Sequence, residues 1–377
     1  MTAGLRARLT ETVRQQGRWS TVYLDLSNDR ENPEGLQESR RRAVRDRLHE
    51  LGASDAAAAG VSDRLTEPTG LPSPLCRYLL AKDDQVVIDE TIPGVQAGEE
   101  LIEVGPVPLI APLIRSGVED FTYLTVQVSR DGGDIAVHRT GAFFPESRST
   151  MQGRTDTLHK VKGGGWAHLN QQEHVEEIWK QTQTELSAEV DRLVLEHRPR
   201  LLVVAGDIKA RGLLLDALAE RSRGIAVELA KDTRSGGADP SALTEFTEQQ
   251  IGELLRRDEE SLLDLLRTRL GQPRSAAGTG VAAVVEALRQ AQVDTVLLDT
   301  DRLGGETLVA LDDVPWIATD ESDAIAAGIV GRVPAAEAII RAALATDATV
   351  LSARAGDLGG DPVAALLRWP ADVPATA

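Results

Sequence analysis

A run of three glycines followed by a long amphipathic pattern constrains this chain more than any other feature. The glycines occupy positions 163–165, between Lys162 and Trp166. Glycine has no side chain to pack and raises the entropy cost of ordering the chain, so we predict a mobile loop tip there. The residues after it predict a helix up to about residue 197, because apolar side chains recur at steps of three and four. These apolar positions are Val175, Ile178, Trp179, Thr182, Leu186, Val190, Leu193 and Val194.

The charge around this tip differs from that of the whole chain. Between Arg139 and His168 there are five basic and two acidic residues, whereas the formal charge of the chain is −18. Such an acidic total argues against a general nucleic-acid coat protein. A locally basic glycine loop, however, suits insertion into an anionic RNA environment. The alternative is a surface loop without a partner.

The length and the cysteine content limit the class of protein. A chain of 377 residues is long enough for two or three domains. Its single cysteine, Cys76, excludes an intramolecular disulfide and suits a reducing cytosol. We find neither an apolar signal core nor an apolar run of membrane-spanning length, so we expect a cytoplasmic protein without membrane contact.

The order of predicted elements indicates an α/β protein whose N-terminal part is α+β. We predict an N-terminal domain over 1–117, a middle α/β domain over 118–272 and a C-terminal α/β domain over 273–377. The middle domain should begin with a hairpin over 121–138, turning at Asp131-Gly132-Gly133. We also predict a last helix over Pro362–Arg368.

Three carboxylates near predicted strand ends, Asp131, Asp134 and Asp207, raise the alternative of a metal-dependent nuclease. Aspartate is common in turns for backbone reasons, and Asp207 is in position to cap the next helix. The glycine tip fits neither a phosphate-binding P-loop nor a dinucleotide fingerprint, and zinc-ligand spacing is absent. We therefore expect no metal and no cofactor.

Two charged stretches are candidates for partner binding. The predicted helix after Gly35 carries Arg40, Arg41 and Arg45 among other arginines, either as a solvated face or as a phosphate-contacting patch. Residues 294–323 contain nine acidic residues against one arginine. They form either solvated loops or an acidic docking face for a protein partner.

Four segments together resemble the archaeal and eukaryotic peptide-chain release factor and Pelota superfamily. They are the hairpin 121–138, the tip and helix 162–189, the strand 201–207, and the C-terminal stretch 359–369. The resemblance is to the bacterial, actinobacterial branch, and looks closest to the Balon-like ribosome hibernation factors. It covers roughly residues 120–377.

This resemblance implies three domains. The N-terminal domain would face the decoding centre, and the middle domain would be ribonuclease-H-like, with a loop reaching the peptidyl-transferase centre. The C-terminal domain would resemble the L7Ae family and dock a translational GTPase, elongation factor Tu with GTP or GDP. The expected partner is thus the ribosome, through 23S and 16S rRNA in the A site.

Release factors of this family carry Gly-Gly-Gln at the tip, where the glutamine serves ester hydrolysis of peptidyl-tRNA. Here Trp166 follows Gly164-Gly165, and His168 occupies the glutamine position of related bacterial sequences. We therefore predict a factor that occupies the A site of idle or stalled ribosomes rather than one that catalyses hydrolysis. The alternative is a release or rescue factor in which His168 or Gln171 replaces the glutamine. The predicted rRNA-contacting residues are Lys160, Lys162, Gly163, Gly164, Gly165, Trp166, His168 and Gln171.

Overall fold

The computed structural model describes residues 3–27, 33–67, 69–117, 120–152, 166–230, 240–324 and 327–370. For residues 3, 33–37, 166–176, 178 and 240 it describes the backbone alone. The chain forms two compact units. The split unit joins Met1–Glu119 to Glu259–Ala377, and the middle unit covers Asp120–Asp258. Both contain helices and sheets, which confirms the predicted α/β class. The division into three domains, ribonuclease-H-like and L7Ae-like among them, stays a prediction.

The helices have the following bounds. They are α1 (Ala3–Val13), α2 (Pro33–Glu50), α3 (Asp55–Thr66), α4 (Ala111–Arg115), α5 (Trp166–His197), α6 (Ile208–Ala217), α7 (Glu220–Arg223), α8 (Pro240–Leu270), α9 (Val281–Arg289) and α10 (Ala335–Ala345), with a 3-10 helix at Glu321–Asp323. Over the residues described, none of them combines the length and apolar character that a membrane crossing needs.

The strands have the following bounds. They are β1 (Trp19–Asp25), β2 (Leu75–Lys82), β3 (Gln85–Pro93), β4 (Leu101–Gly105), β5 (Thr122–Ser129), β6 (Gly132–Arg139), β7 (Ser147–Gln152), β8 (Leu201–Gly206), β9 (Ala226–Glu228), β10 (Ala277–Thr279), β11 (Val293–Leu298), β12 (Thr307–Leu311), β13 (Ile317–Ala318), β14 (Ile329–Pro334), β15 (Thr349–Ser352) and β16 (Val363–Leu367).

The N-terminal part of the split unit is an antiparallel sheet in the order β3-β2-β1-β4. Successive side chains of a strand point to opposite faces, and β1 follows this rule. Val22 and Leu24 join a core with residues of α2 and α3, whereas Tyr23 joins the core on the other face. That second core also contains Val284 and Ile339 of the C-terminal part. The two parts of the split unit therefore share one interior.

The C-terminal part contains one sheet in the order β10-β16-β11-β15 and a second in the order β13-β12-β14. The predicted helix over Pro362–Arg368 is wrong, because Val363–Leu367 is a strand between β10 and β11. All five of its residues are buried. A short apolar run of this kind suits a central strand as well as a buried helix, and periodicity does not separate the two.

Helix α10 contacts the N-terminal part of the split unit and so connects its two parts. All eleven of its residues are buried. Near its start, the Glu337 carboxylate accepts hydrogen bonds from the backbone N–H groups of Ile110 (2.6 Å) and Ala111 (3.1 Å), at the start of α4. Anions are favoured at a helix N-terminus, where the first N–H groups lack partners within the helix. Glu337 and Ile110 are 227 positions apart in the sequence, so this contact links the two parts of the split unit.

The opposite end of α10 is held by guanidinium groups. Arg14 donates to the carbonyl of Ala345 (2.7 Å), Arg6 to that of Asp347 (3.2 Å) and Arg368 to that of Thr346 (3.0 Å). Basic side chains at a helix C-terminus satisfy carbonyls that have no partner within the helix. Arg6 lies in α1 and Arg14 directly follows it, so the N-terminal part contacts α10 at both of its ends.

The middle unit is a five-stranded sheet in the order β7-β6-β5-β8-β9. β5, β8 and β9 are parallel, and β5-β6-β7 are antiparallel. One face packs on α5 and α6 through Leu124, Val126, Leu186, Val190 and Leu202. The strand-helix-strand pattern predicted for this region is thus present.

The hairpin predicted over 121–138 is confirmed, but its turn lies at a different place. Ser129 pairs with Gly132, so Arg130 and Asp131 form the turn. Gly132 lies inside the sheet with φ 150°, where a Cβ atom would stand 2.0 Å from the Met151 carbonyl oxygen. The glycine is therefore required by the close approach of β7 and not by the turn.

Candidate functional site

Helix α5 extends beyond the middle sheet on the side where the strands β5 and β8 end, and this side is called the sheet edge. Gln183 marks the edge, because its side-chain amide donates to the Ser129 carbonyl at 3.0 Å. α5 begins at Trp166, seventeen positions earlier, and a helix rises 1.5 Å per residue, so its first part reaches up to about 25 Å beyond the edge. Farther along, Leu186, Val190 and Val194 are buried against the sheet, as the apolar pattern predicts.

Three of the eight predicted rRNA-contacting residues lie at this end of α5. Lys160, Lys162, Gly163, Gly164 and Gly165 lie outside the described residues. The backbone of Trp166, His168 and Gln171 forms the first two turns of α5. β7 ends at Gln152, which pairs with Gly132 beside the same edge. The chain therefore both leaves and re-enters the described middle unit on this side.

Arg130, in the turn after β5, lies between two elements at this edge. Its Nε atom donates to Asp207 Oδ2 at 3.1 Å, and its guanidinium lies over the Trp179 ring, 5.0 Å from the ring centroid. Asp207 also accepts from the backbone N–H groups of Lys209 (3.0 Å) and Ala210 (3.1 Å). The prediction that Asp207 caps the following helix is confirmed.

The carboxylates of this region do not gather into a metal site. Across the described residues, no group of three or more His, Cys, Asp or Glu side chains could hold a metal ion. Asp207, one of the three candidates for a nuclease site, has its oxygens occupied by Arg130 and by helix N–H groups. Its arrangement supports a structural role.

His138, a residue that the sequence gives no reason to single out, is half-buried on the other face of the sheet. Its ring is stacked on Tyr123 at a centroid distance of 4.8 Å, and its Nε2 lies 3.0 Å from Thr125 Oγ1. Burial, with a smaller effect of the Arg148 charge, lowers the pKa of His138 from 6.5 to about 4. The ring is therefore neutral near pH 7 and suited to a fixed hydrogen bond. Only the pairing of Tyr123 with His138 across β5 and β6 could have revealed it.

Most of the arginines of α2 have carboxylate partners. Arg40 pairs with Glu100 and also donates to the Asp25 carbonyl. Arg41 pairs with Glu38 at 3.0 Å and with Asp63 at 2.9 Å. Among the described residues, Arg45 has an exposed side chain and makes no ion pair. The net positive charge of this surface is thus smaller than the sequence suggests, and Arg45 contributes most to it.

The acidic stretch 294–323 is partly built into the fold. Asp299 accepts hydrogen bonds from the backbone N–H groups of Asp301, Arg302 and Ala355, which lowers its pKa against the opposing effect of burial. Asp312 accepts from Gly328 N–H at 2.7 Å. The stretch also contains the buried strand β12. Several of its carboxylates therefore organise loops, and its role in partner docking stays a prediction.

Comparisons with known proteins agree with this picture of the middle unit. Residues 122–272 match the model of bacterial archaeo-eukaryotic release factor family 2. Two proteins of Mycobacterium tuberculosis, the uncharacterized proteins Rv2629 (strain H37Rv) and MT2704 (strain CDC 1551), are each 25% identical over 367 residues. Each alignment covers 97% of this chain and 96% of the relative.

Solved structures are similar to this chain at lower sequence identity. A model of ribosome-bound archaeal Pelota with ABCE1 has a TM-score of 0.41 and 12% identity, covering 98% of this chain and 95% of the other. The archaeal termination factor aRF1 has a TM-score of 0.27 and 15% identity, with coverage of 98% and 99%. Residues 122–272 of this chain are thus similar to bacterial archaeo-eukaryotic release factor family 2.

Proposed function

We propose that this chain is a cytoplasmic translation factor that occupies the A site of idle or stalled ribosomes, as the Balon-like hibernation factors do. The observation that carries the proposal is the long helix α5, which extends beyond the sheet edge and has the glycine-rich tip at its start. The match of residues 122–272 to a release factor family model supports it. A helix with a small, locally basic tip suits a narrow RNA-lined space, because glycines add no bulk and lysines contact phosphates.

The absence of Gly-Gly-Gln favours occupancy over hydrolysis in this proposal. Trp166 follows the glycines, and a tryptophan supplies no amide to orient an attacking water molecule. Instead, its ring can stack on an exposed base. The proposed contact is with 23S rRNA near the peptidyl-transferase centre, whereas Arg45 on α2 is the stronger of the proposed 16S rRNA contacts.

The experiment is co-sedimentation of the purified protein with vacant ribosomes and with ribosomes whose A site holds tRNA. We expect binding to vacant ribosomes alone. The variant Lys160→Ala/Lys162→Ala should bind more weakly, with a salt dependence reduced by about two counterions. Lys180→Ala, which removes an exposed lysine of α5 away from the tip, is the matched control. Equal binding to both kinds of ribosome would remove the A-site proposal.

The arginines of α2 allow a second, graded test. Arg45→Ala should weaken ribosome binding more than Arg42→Ala, because Arg42 is already paired with Glu38 at 2.9 Å. The same binding assay, with elongation factor Tu and GTP or GDP added, measures whether this GTPase contributes. We propose the C-terminal part, including 294–323, as its docking surface. Substitution of exposed carboxylates there should then abolish only the increment due to the GTPase.

The second candidate function is hydrolysis of peptidyl-tRNA in a release or rescue reaction. It is favoured by one observation, that His168 and Gln171 lie in the first two turns of α5 beside the tip. A release assay on stalled ribosomes separates the two functions. Release that disappears in His168→Ala or Gln171→Ala, while ribosome binding persists, would establish the enzyme and replace occupancy as the function.

A further inference from the structure

We propose that Arg130 is a positioning residue that fixes the direction in which the first part of α5 leaves the middle sheet. This inference rests on the proposed function in one respect, namely that the direction of α5 serves to point the glycine-rich tip at its target. The direction itself follows from contacts within the middle unit. It assigns a role to a turn residue that the function described so far does not use.

The first step is that Arg130 connects a fixed group to α5. Asp207 is held in place by the backbone N–H groups of Lys209 and Ala210, so its carboxylate is a rigid anchor at the end of β8. Arg130 is bound to that anchor through its Nε atom at 3.1 Å. The same guanidinium covers the Trp179 ring at 5.0 Å. A cation over an aromatic face is an attractive contact. The planar guanidinium of Arg130 can therefore bind Asp207 and cover Trp179 at the same time.

The second step is that the contacts of α5 with this edge form a line. Trp179, Gln183 and Leu186 follow one another at steps of four and three, which places them on one face of the helix. Gln183 is 1% exposed and bound to the Ser129 carbonyl. Leu186 approaches so closely that a Cβ atom on Gly133 would lie 2.6 Å from its Cδ2 atom. The two inner contacts therefore fix the axis at the edge, and the Arg130–Trp179 contact fixes it one turn farther out.

The third step separates this role from ordinary surface pairing. An ion pair of a half-exposed arginine such as Arg130, with 54% side-chain exposure, contributes little to stability. Its removal should therefore leave the fold intact. The inner part of α5 is held on the sheet by Leu186, Val190 and Val194. The Arg130–Trp179 contact acts on the part beyond Gln183, which can bend where it leaves the sheet. The expected effect is on the direction of the helix and not on the stability of the unit.

The experiment measures a distance in the full chain. Spin labels are attached at Glu173→Cys, on the outer part of α5, and at Asp216→Cys, on α6, and the distance distribution is recorded by double electron–electron resonance. The native Cys76 is 1% exposed and does not compete for the label. We expect one narrow distance for the chain with Arg130 in place.

In Arg130→Met, the fraction of molecules outside that main distance should rise about fivefold, the change that loss of one cation–π contact produces. Arg130→Lys should restore much of the narrow distribution, since it keeps a cation near the ring. Arg148→Met is the control, because Arg148 is exposed and forms no ion pair with a described residue. Circular dichroism should show the same helix content throughout.

An unchanged distribution in Arg130→Met would overturn the proposal. The measurement needs no ribosome, so this result leaves the proposed function standing. Conversely, loss of A-site binding in the co-sedimentation experiment would not alter the measured distances. When both hold, Arg130→Met should bind vacant ribosomes more weakly than Arg148→Met does, and Arg130→Lys should bind between the two.

Discussion

Glu337 offers a direct test of how the two parts of the split unit are joined. Its carboxylate is buried on α10 and accepts hydrogen bonds from the Ile110 and Ala111 N–H groups. Burial raises the pKa of Glu337 from 4.5 to about 7, although the two N–H groups and the nearby charge of Arg115 act in the opposite direction. A carboxyl group that titrates near neutrality at such a junction makes its stability depend on pH.

The sign and size of the effect follow from proton linkage. Below pH 4.5 the carboxyl group is protonated in both the folded and the unfolded chain. As the pH rises, the unfolded chain releases the proton first, so stability falls until the folded pKa of about 7 is passed. At about 1.36 kcal/mol per pKa unit, the free energy of unfolding should decrease by about 3 kcal/mol across this window.

The perturbation is Glu337→Gln, which cannot ionise but keeps one carbonyl oxygen. That oxygen can take the place of Oε2, which accepts from both Ile110 N–H (2.6 Å) and Ala111 N–H (3.2 Å). Urea unfolding, followed by circular dichroism between about pH 5 and pH 8, measures the difference between the wild type and the variant. The wild type should lose about 2–3 kcal/mol relative to the variant as the pH rises over this range.

The matched control is Glu286→Gln, on the exposed face of α9, where no such difference is expected. Comparing variants cancels the pH dependence of every other group in the chain. A difference between the wild type and Glu337→Gln that stays constant over this pH range would refute the reasoning, because Glu337 would then be ionised, or protonated, throughout.

Further predictions concern the middle unit. Gly133→Ala should lower the free energy of unfolding in urea by about 1–3 kcal/mol, because the new Cβ atom would meet Leu186 Cδ2 at 2.6 Å. In the double variant with Leu186→Ala this clash is removed, so the loss of stability should be smaller than the sum of the two single losses. Asp207→Ala should cost about 1 kcal/mol in the same assay through loss of the α6 cap. The His138 ring should stay neutral by NMR down to about pH 4, and stability should fall as the pH drops below 6.5. A ring that titrates near 6.5 would contradict its burial.

Local patterns carried the parts of the fold that the sequence could predict. The apolar steps of three and four located α5, because they report one buried helix face directly. Asp207 was recognised as a cap since it follows an apolar strand and precedes a helix. In the hairpin, the strands were located by alternation, but the glycines were assigned to the turn. Gly132 is required by the backbone of β7 and Gly133 by the Leu186 side chain of α5, two neighbours that the hairpin sequence does not reveal.

Contacts between distant residues could not be predicted in this way. Nothing around Glu337 indicates that its partners are the N–H groups of Ile110 and Ala111, because an isolated glutamate reads as a solvated helix position. The role of Arg130 was hidden for the same reason. Its two partners, Trp179 and Asp207, come from different elements that meet only once the sheet is formed.

The contact between Glu337 and Ile110 also sets an order of events during synthesis. Ribosomes add about 5–20 residues per second, so roughly 10–45 s separate the emergence of these two residues. The middle unit, Asp120–Asp258, is continuous in sequence and is translated in full within that interval. The N-terminal sheet, in contrast, has the face that carries Tyr23 and Tyr78 incompletely covered until α10 is made, because α10 completes the core to which they belong. We therefore expect the newly made chain to depend on chaperones at its beginning rather than at its centre, and to complete its first-made sheet last.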